Sequence, residues 1–185
     1  MNSTKLAVIL PGTGYTKDKP LLYYATTIAM KKGYDIVSVD YDKFFESVNY
    51  RNKDEMNAVA DKAYQYATKR LDEIDFTRYT SVVFIGKSFG TVVGTTYASE
   101  HNLTLKQVWY TPVIEAYMKA CGEIVAFMGD KDPIAGVDEA LSLAKEKAIS
   151  LHVYPDANHS LATGDALIDI DTLKNVMTIT NEFIE

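Results

Sequence analysis

The chain has 185 residues, of which 47% are hydrophobic and 24% are charged, so its composition is that of an ordinary globular protein with one domain. Its formal net charge of −6 argues against a nucleic-acid partner, because a protein that neutralises phosphates needs a basic face. The single cysteine, Cys121, excludes a disulfide framework and a zinc site with several cysteines.

Short apolar runs alternate with longer amphipathic stretches along the chain. In order, the pattern predicts a strand at residues 6–10, a helix at 20–32, a strand at 35–40, a helix at 54–72, a strand at 81–85, a helix at 89–101, strands at 106–110 and 123–128, a helix at 136–147, a strand at 149–154 and a helix at 171–185, capped by Asp171 or Thr172. Strands apolar on both faces indicate an α/β fold: a doubly wound, mostly parallel sheet of about six strands with helices on both faces. Ligands of such sheets bind beyond the carboxyl ends of the strands.

The first apolar run follows Lys5, as the apolar region of a signal peptide would. It ends after residue 10 at Pro11 and Gly12, and no small-residue cleavage site follows, so we interpret it as a buried strand. No apolar run approaches the roughly 20 residues that span a bilayer, and we expect no membrane association. With a lone thiol as weak further support, we expect a cytoplasmic protein.

A serine stands between the third predicted strand and the helix that follows it. The sequence there is G-K-S-F-G at residues 86–90, with glycines two positions before and after Ser88. A nucleophilic serine in this setting sits on a sharp, strained turn, and neighbouring elements leave no room for side chains at the glycine positions. The following helix directs its first N–H groups at the site, which favours developing negative charge.

The tripeptide Gly86-Lys87-Ser88 is also typical of the end of a phosphate-binding loop. That loop needs a glycine five positions before Gly86, but position 81 is serine and residues 82–85 are predicted as strand. We therefore favour the interpretation of Ser88 as a nucleophile.

A serine nucleophile needs a histidine base. The chain has three histidines. His101 lies near the end of a helix and His152 inside a strand, so structural roles explain both. His159 follows the sixth strand, at the same edge of the sheet as Ser88, and we predict that it is the base.

The base needs a carboxylate that orients it, placed between serine and histidine in the chain. After the fifth strand the sequence reads G-D-K-D-P at residues 129–133. Asp132 is far enough past the strand to reach the histidine loop, whereas Asp130 is better placed to hydrogen-bond its own turn. We predict Asp132 as the acid and keep Asp130 as the alternative. No histidine or third carboxylate stands nearby, so we expect no metal.

The loop after the first strand is a candidate for binding an oxyanion. Its glycines, Gly12 and Gly14, allow a close approach of the backbone to a substrate. One donor should be the N–H of Phe89, and the other that of Thr13, with Gly14 and Tyr15 as further candidates. A dinucleotide-binding turn is disfavoured, because its third glycine would fall at position 17, which is lysine.

Together these motifs resemble those of the α/β-hydrolase superfamily over nearly the whole chain. The resemblance is carried by G-K-S-F-G at 86–90, G-D-K-D-P at 129–133, N-H-S-L at 158–161 and the P-G-T-G turn at 11–14, which has Pro11 where the family usually has histidine. It implies a minimal α/β-hydrolase fold in one domain, residues 1–185, without a lid domain, since only residues 111–122 connect the fourth and fifth strands. In these features the chain is similar to small carboxylesterases and dienelactone-hydrolase-like proteins, although a dienelactone hydrolase proper would have a cysteine nucleophile.

The resemblance implies a serine hydrolase that cleaves a small carboxylic ester or thioester through an acyl-enzyme on Ser88, without a cofactor. An acyltransferase with the same triad and a non-catalytic binding protein remain alternatives. Aromatic residues near predicted strand ends, Tyr15, Phe89, Tyr110 and Tyr117, are weak candidates for contacts with the substrate, as is Gly14. The sequence does not indicate an oligomeric state.

Overall fold

The computed structural model describes residues 4–46, 48–49 and 52–185. The strands are β1 (Lys5–Leu10), β2 (Asp35–Ser38), β3 (Ser81–Lys87), β4 (Lys106–Tyr110), β5 (Glu123–Gly129) and β6 (Ser150–Tyr154). The helices are α1 (Pro20–Lys31), α2 (Lys53–Asp72), α3 (Phe89–Glu100), α4 (Ile114–Met118), α5 (Val137–Glu146) and α6 (Ala166–Phe183). Two short 3-10 helices, Asp42–Phe45 and Phe76–Arg78, lie in the connections.

The six strands form one sheet in the order β2-β1-β3-β4-β5-β6, and every neighbouring pair is parallel. This confirms the predicted parallel sheet. The four central strands are almost continuously buried, which explains why they are apolar on both faces. The order reverses between β1 and β3, so the sheet grows outward in both directions from its centre.

Helices cover both faces of the sheet, as predicted. On one face, α1 and α6 pack on alternate strand residues such as Ile9 and Ile85. On the other face, α2 and α3 pack on Leu10 and Phe84, and α4 and α5 pack around Trp109. The alternation of side chains along each strand therefore divides the core into layers.

The start of α6 differs from the prediction. The helix begins at Ala166 rather than at Asp171, because the side chain of Asp165 accepts hydrogen bonds from the N–H groups of Leu167 and Ile168. The first turn exposes Leu167 and Ile168, so the apolar periodicity visible in the sequence begins only after the helix has started.

The other elements were predicted to within about three residues. Helix α4 is the exception, because the sequence pattern of residues 111–122 predicts only a connection. The segment after β4 contains this five-residue helix, which packs on the sheet through Ala116 and Tyr117.

The carboxyl ends of β1, β3, β5 and β6 lie at one edge of the sheet. The predicted site residues follow these four strands, so the topology places them along that edge. Within the part of the chain that the structure describes, no helix is long and apolar enough to cross a membrane.

Candidate active site

Ser88 occupies a sharp turn between β3 and α3. Its backbone angles are φ 52° and ψ −118°, an unusual conformation for any residue but glycine. The turn is packed tightly: a Cβ at Gly86 would lie 2.8 Å from the carbonyl carbon of Gly90, and one at Gly90 would lie 2.0 Å from the Leu10 oxygen. Both glycines are therefore required by the close approach of the backbone, as the sequence motif predicted.

A continuous chain of hydrogen bonds joins Ser88, His159 and Asp132. The Oγ of Ser88 lies 2.8 Å from Nε2 of His159, and Nδ1 of His159 lies 2.7 Å from Oδ2 of Asp132. The side chain of Asp132 is fully buried and that of His159 is 16% exposed, so water has little access to the bond between them. The arrangement places a hydroxyl, an imidazole and a carboxylate in the order that nucleophilic catalysis requires.

The carboxylate of Asp132 is held in its charged form by hydrogen bonds. Burial alone raises its pKa, but the hydrogen bond from His159 and those from the Ile134 and Ala135 N–H groups outweigh this effect. The pKa of Asp132 therefore lies below its ordinary value. An ionised carboxylate at this position fixes the ring of His159 and stabilises the imidazolium when it forms.

Asp130 has a different position from Asp132. Its Oδ1 accepts a hydrogen bond of 2.7 Å from the N–H of Asp156, at the start of the loop that carries His159. The N–H of Lys131 donates to the Ala157 carbonyl of the same loop. A Cβ at Gly129 would lie 1.9 Å from that carbonyl oxygen. Asp130 thus joins the two loops, whereas Asp132 contacts His159 itself.

The turn after β1 is closed by reciprocal backbone hydrogen bonds of 3.1 and 3.2 Å between Gly12 and Tyr15. Gly14 has φ 67°, which glycine adopts without strain. A Cβ at Gly12 would lie 3.2 Å from the Cβ of Ser88, so the turn lies directly beside the serine. Among the described residues, the N–H groups of Thr13 and Phe89 have no hydrogen-bond acceptor, which leaves both available to an oxyanion.

Lys87 is a feature of this site that sequence reasoning missed. Its side chain is only 2% exposed, and its Nζ lies 5.1 Å from the centre of the Tyr15 ring. Burial lowers the pKa of Lys87 to about 7, with the charge of Asp132 opposing the shift and that of Lys19 adding to it. The sequence does contain a signal for this burial. Side chains alternate between the two faces of a strand, so Lys87 lies on the same buried face of β3 as Val83 and Ile85.

The tyrosines proposed as substrate contacts lie in the core instead. Tyr110 is fully buried, with its hydroxyl 2.8 Å from Oγ1 of Thr180. Tyr117 is fully buried against Trp109. The hydroxyl of Tyr15 accepts a hydrogen bond from the N–H of Leu21 and braces the turn. The structure thus gives these three rings packing positions, because residues beyond the strand ends cover them.

The two remaining histidines stand apart from Ser88. His101 stacks on Tyr97 with ring centres 4.0 Å apart, and His152 stacks on Phe127 at 5.4 Å. Both rings therefore have packing roles, as the sequence positions suggested. Within the described part of the chain, no cluster of three or more histidine, cysteine or acidic side chains could hold a metal ion.

A cavity of about 630 Å³ opens beside Ser88, between α2, α3 and α4. Its lining residues are Thr13, Phe45, Met56, Asn57, Ala60, Ser88, Phe89, Val92, Val113, Ile114, Glu115 and Ile134. Of the predicted site residues, the nucleophile candidate Ser88 and the two oxyanion-donor candidates Thr13 and Phe89 line it, whereas Gly14, Tyr15, Tyr110 and Tyr117 are not among the lining residues. A larger groove of about 840 Å³ lies at the opposite edge of the sheet around Gly122 and Glu123 and contains no residue of the hydrogen-bonded triad.

No family profile matches the sequence, and no curated protein matches it either. Known structures are nevertheless similar over most of the chain. An alpha-beta serine hydrolase homologue from Coxiella burnetii has a TM-score of 0.68 at 11% identity, covering 95% of this chain and 84% of that one. Est1E from Butyrivibrio proteoclasticus has a TM-score of 0.67 at 12% identity, covering 100% and 90%.

The esterase Pf2001 from Pyrococcus furiosus has a TM-score of 0.64 at 15% identity, covering 99% of this chain and 85% of that one. At such low identities the likeness is one of fold. The chain has the α/β-hydrolase fold, which confirms the resemblance inferred from its motifs.

Proposed function

We propose that the protein is a serine hydrolase that cleaves a carboxylic ester or thioester through an acyl-enzyme on Ser88. The observation that carries the proposal is the hydrogen-bonded chain from Ser88 through His159 to Asp132, located on a strained turn at the mouth of a cavity. Its likeness in fold to Est1E, one structure of which holds ferulic acid, and to the esterase Pf2001 supports ester chemistry.

The first half-reaction starts at Ser88. The Nε2 of His159 removes the hydroxyl proton while Oγ attacks the carbonyl carbon, and the carbonyl electron pair moves onto its oxygen. When the tetrahedral intermediate collapses, the bond to the alcohol or thiol breaks and His159 returns the proton to the leaving group. Asp132 keeps Nδ1 protonated throughout, so that Nε2 is the free acceptor.

The negative oxygen of the intermediate needs donors that are already in place. The unpaired N–H groups of Thr13 and Phe89 supply them in this proposal, and Gly12 allows the Thr13 turn to approach Ser88. The second half-reaction repeats these steps with water as the nucleophile, which releases the acid and restores Ser88.

The experiment that tests the proposal is labelling with a fluorophosphonate probe, followed by identification of the modified peptide. We expect one adduct, on Ser88, which is lost in Ser88→Ala and in His159→Ala. The matched control is Ser160→Ala, because Ser160 is an exposed serine beside His159 whose backbone N–H donates to Asn158 and whose hydroxyl has no hydrogen-bond partner among the described residues. Labelling that persists in Ser88→Ala, or is absent from the folded wild type, contradicts the proposal.

Hydrolysis and acyl transfer are distinguished by their products. In a time course with an aryl ester, we expect release of the acid to equal release of the phenol, with or without added alcohols and amines. A predominance of transferred acyl product would assign the same triad to an acyltransferase instead.

A further inference from the structure

The cavity beside Ser88 has an apolar floor. Phe45 is 2% exposed, and its ring meets that of Phe89 with centres 5.5 Å apart. The half-buried side chains of Ala60 and Val92 complete this floor. An apolar surface of this kind binds a ligand group by removing apolar area from water. The volume of the cavity lies in the range of small-molecule sites.

Besides Thr13 and the buried Ser88, the cavity has two polar lining residues, and these lie at its exposed rim. Asn57 on α2 and Glu115 on α4 are both exposed, and of the twelve described lining residues Glu115 alone carries a charge. None of the ion pairs among the described residues involves Glu115. No basic side chain in the described part of the chain lies within ion-pairing distance of the Glu115 carboxylate, so its charge can act on a group that enters the cavity.

We infer that Glu115 selects substrates by charge: the cavity accepts an apolar group that is neutral or carries a cation at its outer end, and it disfavours a group that ends in an anion. The inference rests on the proposed function, since it concerns the ester bound at Ser88. Two parts of the cavity thus have separate roles: the floor around Phe89 binds the apolar part of the group, and Glu115 discriminates by the charge at its outer end.

The test compares matched aryl esters whose acyl chains have equal length and end in a methyl, a carboxylate or a trimethylammonium group. A second series carries the same three groups on the alcohol side, so that either half of the ester can be the one in the cavity. For each series the measured quantity is the ratio of kcat/KM for the cationic ester to that for the anionic one.

We expect the wild-type ratio to exceed one in one of the series. Glu115→Gln should lower it by about fivefold and Glu115→Lys by more, to below one, as expected for the removal or reversal of a charge at an exposed site. The matched control is Glu123→Lys, which changes the net charge equally at the opposite edge of the sheet and should leave the ratio unchanged. Salt at 1 M should reduce the wild-type ratio.

Glu115 also lies in the first turn of α4, where an acidic side chain can stabilise a helix. Such a structural role would lower the melting temperature of both variants without changing the ratio. Unchanged ratios in both series, with hydrolysis of the neutral esters intact, overturn the charge selection and leave the proposed function standing. Loss of hydrolysis of every ester, together with no labelling of Ser88, overturns both.

The apolar floor has its own test. Ala60→Phe should fill the cavity and lower kcat/KM for a hexanoate ester at least tenfold relative to the acetate, while a cooperative thermal unfolding transition shows that the variant is folded. Ala58→Phe adds the same ring on an exposed position of α2 and should have no such effect. An unchanged ratio of hexanoate to acetate in Ala60→Phe contradicts binding of the apolar group in this cavity.

Discussion

Ser88, the proposed nucleophile, has a strained backbone conformation. Its positive φ costs about 1–3 kcal/mol, and the conformation persists because the surrounding backbone leaves no alternative path between β3 and α3. The same turn raises the hydroxyl above the sheet edge toward His159. The strain is therefore part of the geometry that brings this hydroxyl to His159.

The two aspartates after β5 allow the effect of a contact with His159 to be separated from the effect of a nearby negative charge. Asp132→Asn should lower kcat by about 10⁴, because an amide favours the wrong tautomer of His159. Asp130→Asn removes a charge two residues away but can still accept the hydrogen bond from Asp156, so it should keep kcat within a few-fold. Steady-state kinetics on one neutral ester measure both, and equal losses would refute the assignment of Asp132.

At the scale of elements, the close approach of β1 and α3 determines whether the turn can form. A Cβ at Gly90 would meet the oxygens of Leu10 and Pro11, both backbone atoms that cannot move aside. We expect Gly90→Ala to lower the free energy of unfolding by about 3 kcal/mol or more and to abolish labelling of Ser88.

Gly136 is the matched control for Gly90, because a Cβ there would meet nothing within 4 Å and its φ is −64°. Gly136 is the N-cap of α5, where alanine is less favourable than glycine, so urea unfolding of Gly136→Ala should show a loss of about 1 kcal/mol or less. If Gly90→Ala and Gly136→Ala lost similar amounts of unfolding free energy, the turn at Ser88 would tolerate a side chain at position 90.

The N-terminus of α6 supplies a second test at this scale. Asp165→Ala should lower the free energy of unfolding by about 1 kcal/mol, since two N–H groups lose their acceptor. Asp171→Ala, at the cap that the sequence pattern suggested, should cost much less because residue 171 lies inside the helix. Urea unfolding of both variants distinguishes them, and a larger loss for Asp171→Ala would place the start of the helix at the later position.

At the scale of the whole molecule, the buried amine of Lys87 couples folding to pH. Its pKa is about 7 in the folded protein and ordinarily 10.5, so between these values the unfolded chain binds a proton that the folded protein has released. The free energy of unfolding attributable to Lys87 therefore rises with pH, by roughly 2 to 3 kcal/mol from pH 7 to 9.

Lys87→Met should remove that rise while keeping the length of the side chain. The measurement is urea unfolding of both proteins from pH 7 to 9, below the range in which tyrosines such as Tyr154, with a pKa raised to about 12, begin to contribute. We expect the wild type to gain stability relative to the variant as the pH rises. A constant difference between the two would show that Lys87 keeps its ordinary pKa.

The amino-acid pattern alone predicts the parallel sheet, because strands buried on both faces must be apolar throughout. It also indicates Ser88, Asp132 and His159, because each follows a strand at one sheet edge. These are local patterns combined with one rule of topology. The burial of Tyr110, Tyr117 and Lys87, and the cavity between α2 and α4, become visible only in the folded chain. Burial and cavity shape depend on contacts between residues far apart in the chain, and no local pattern records those contacts.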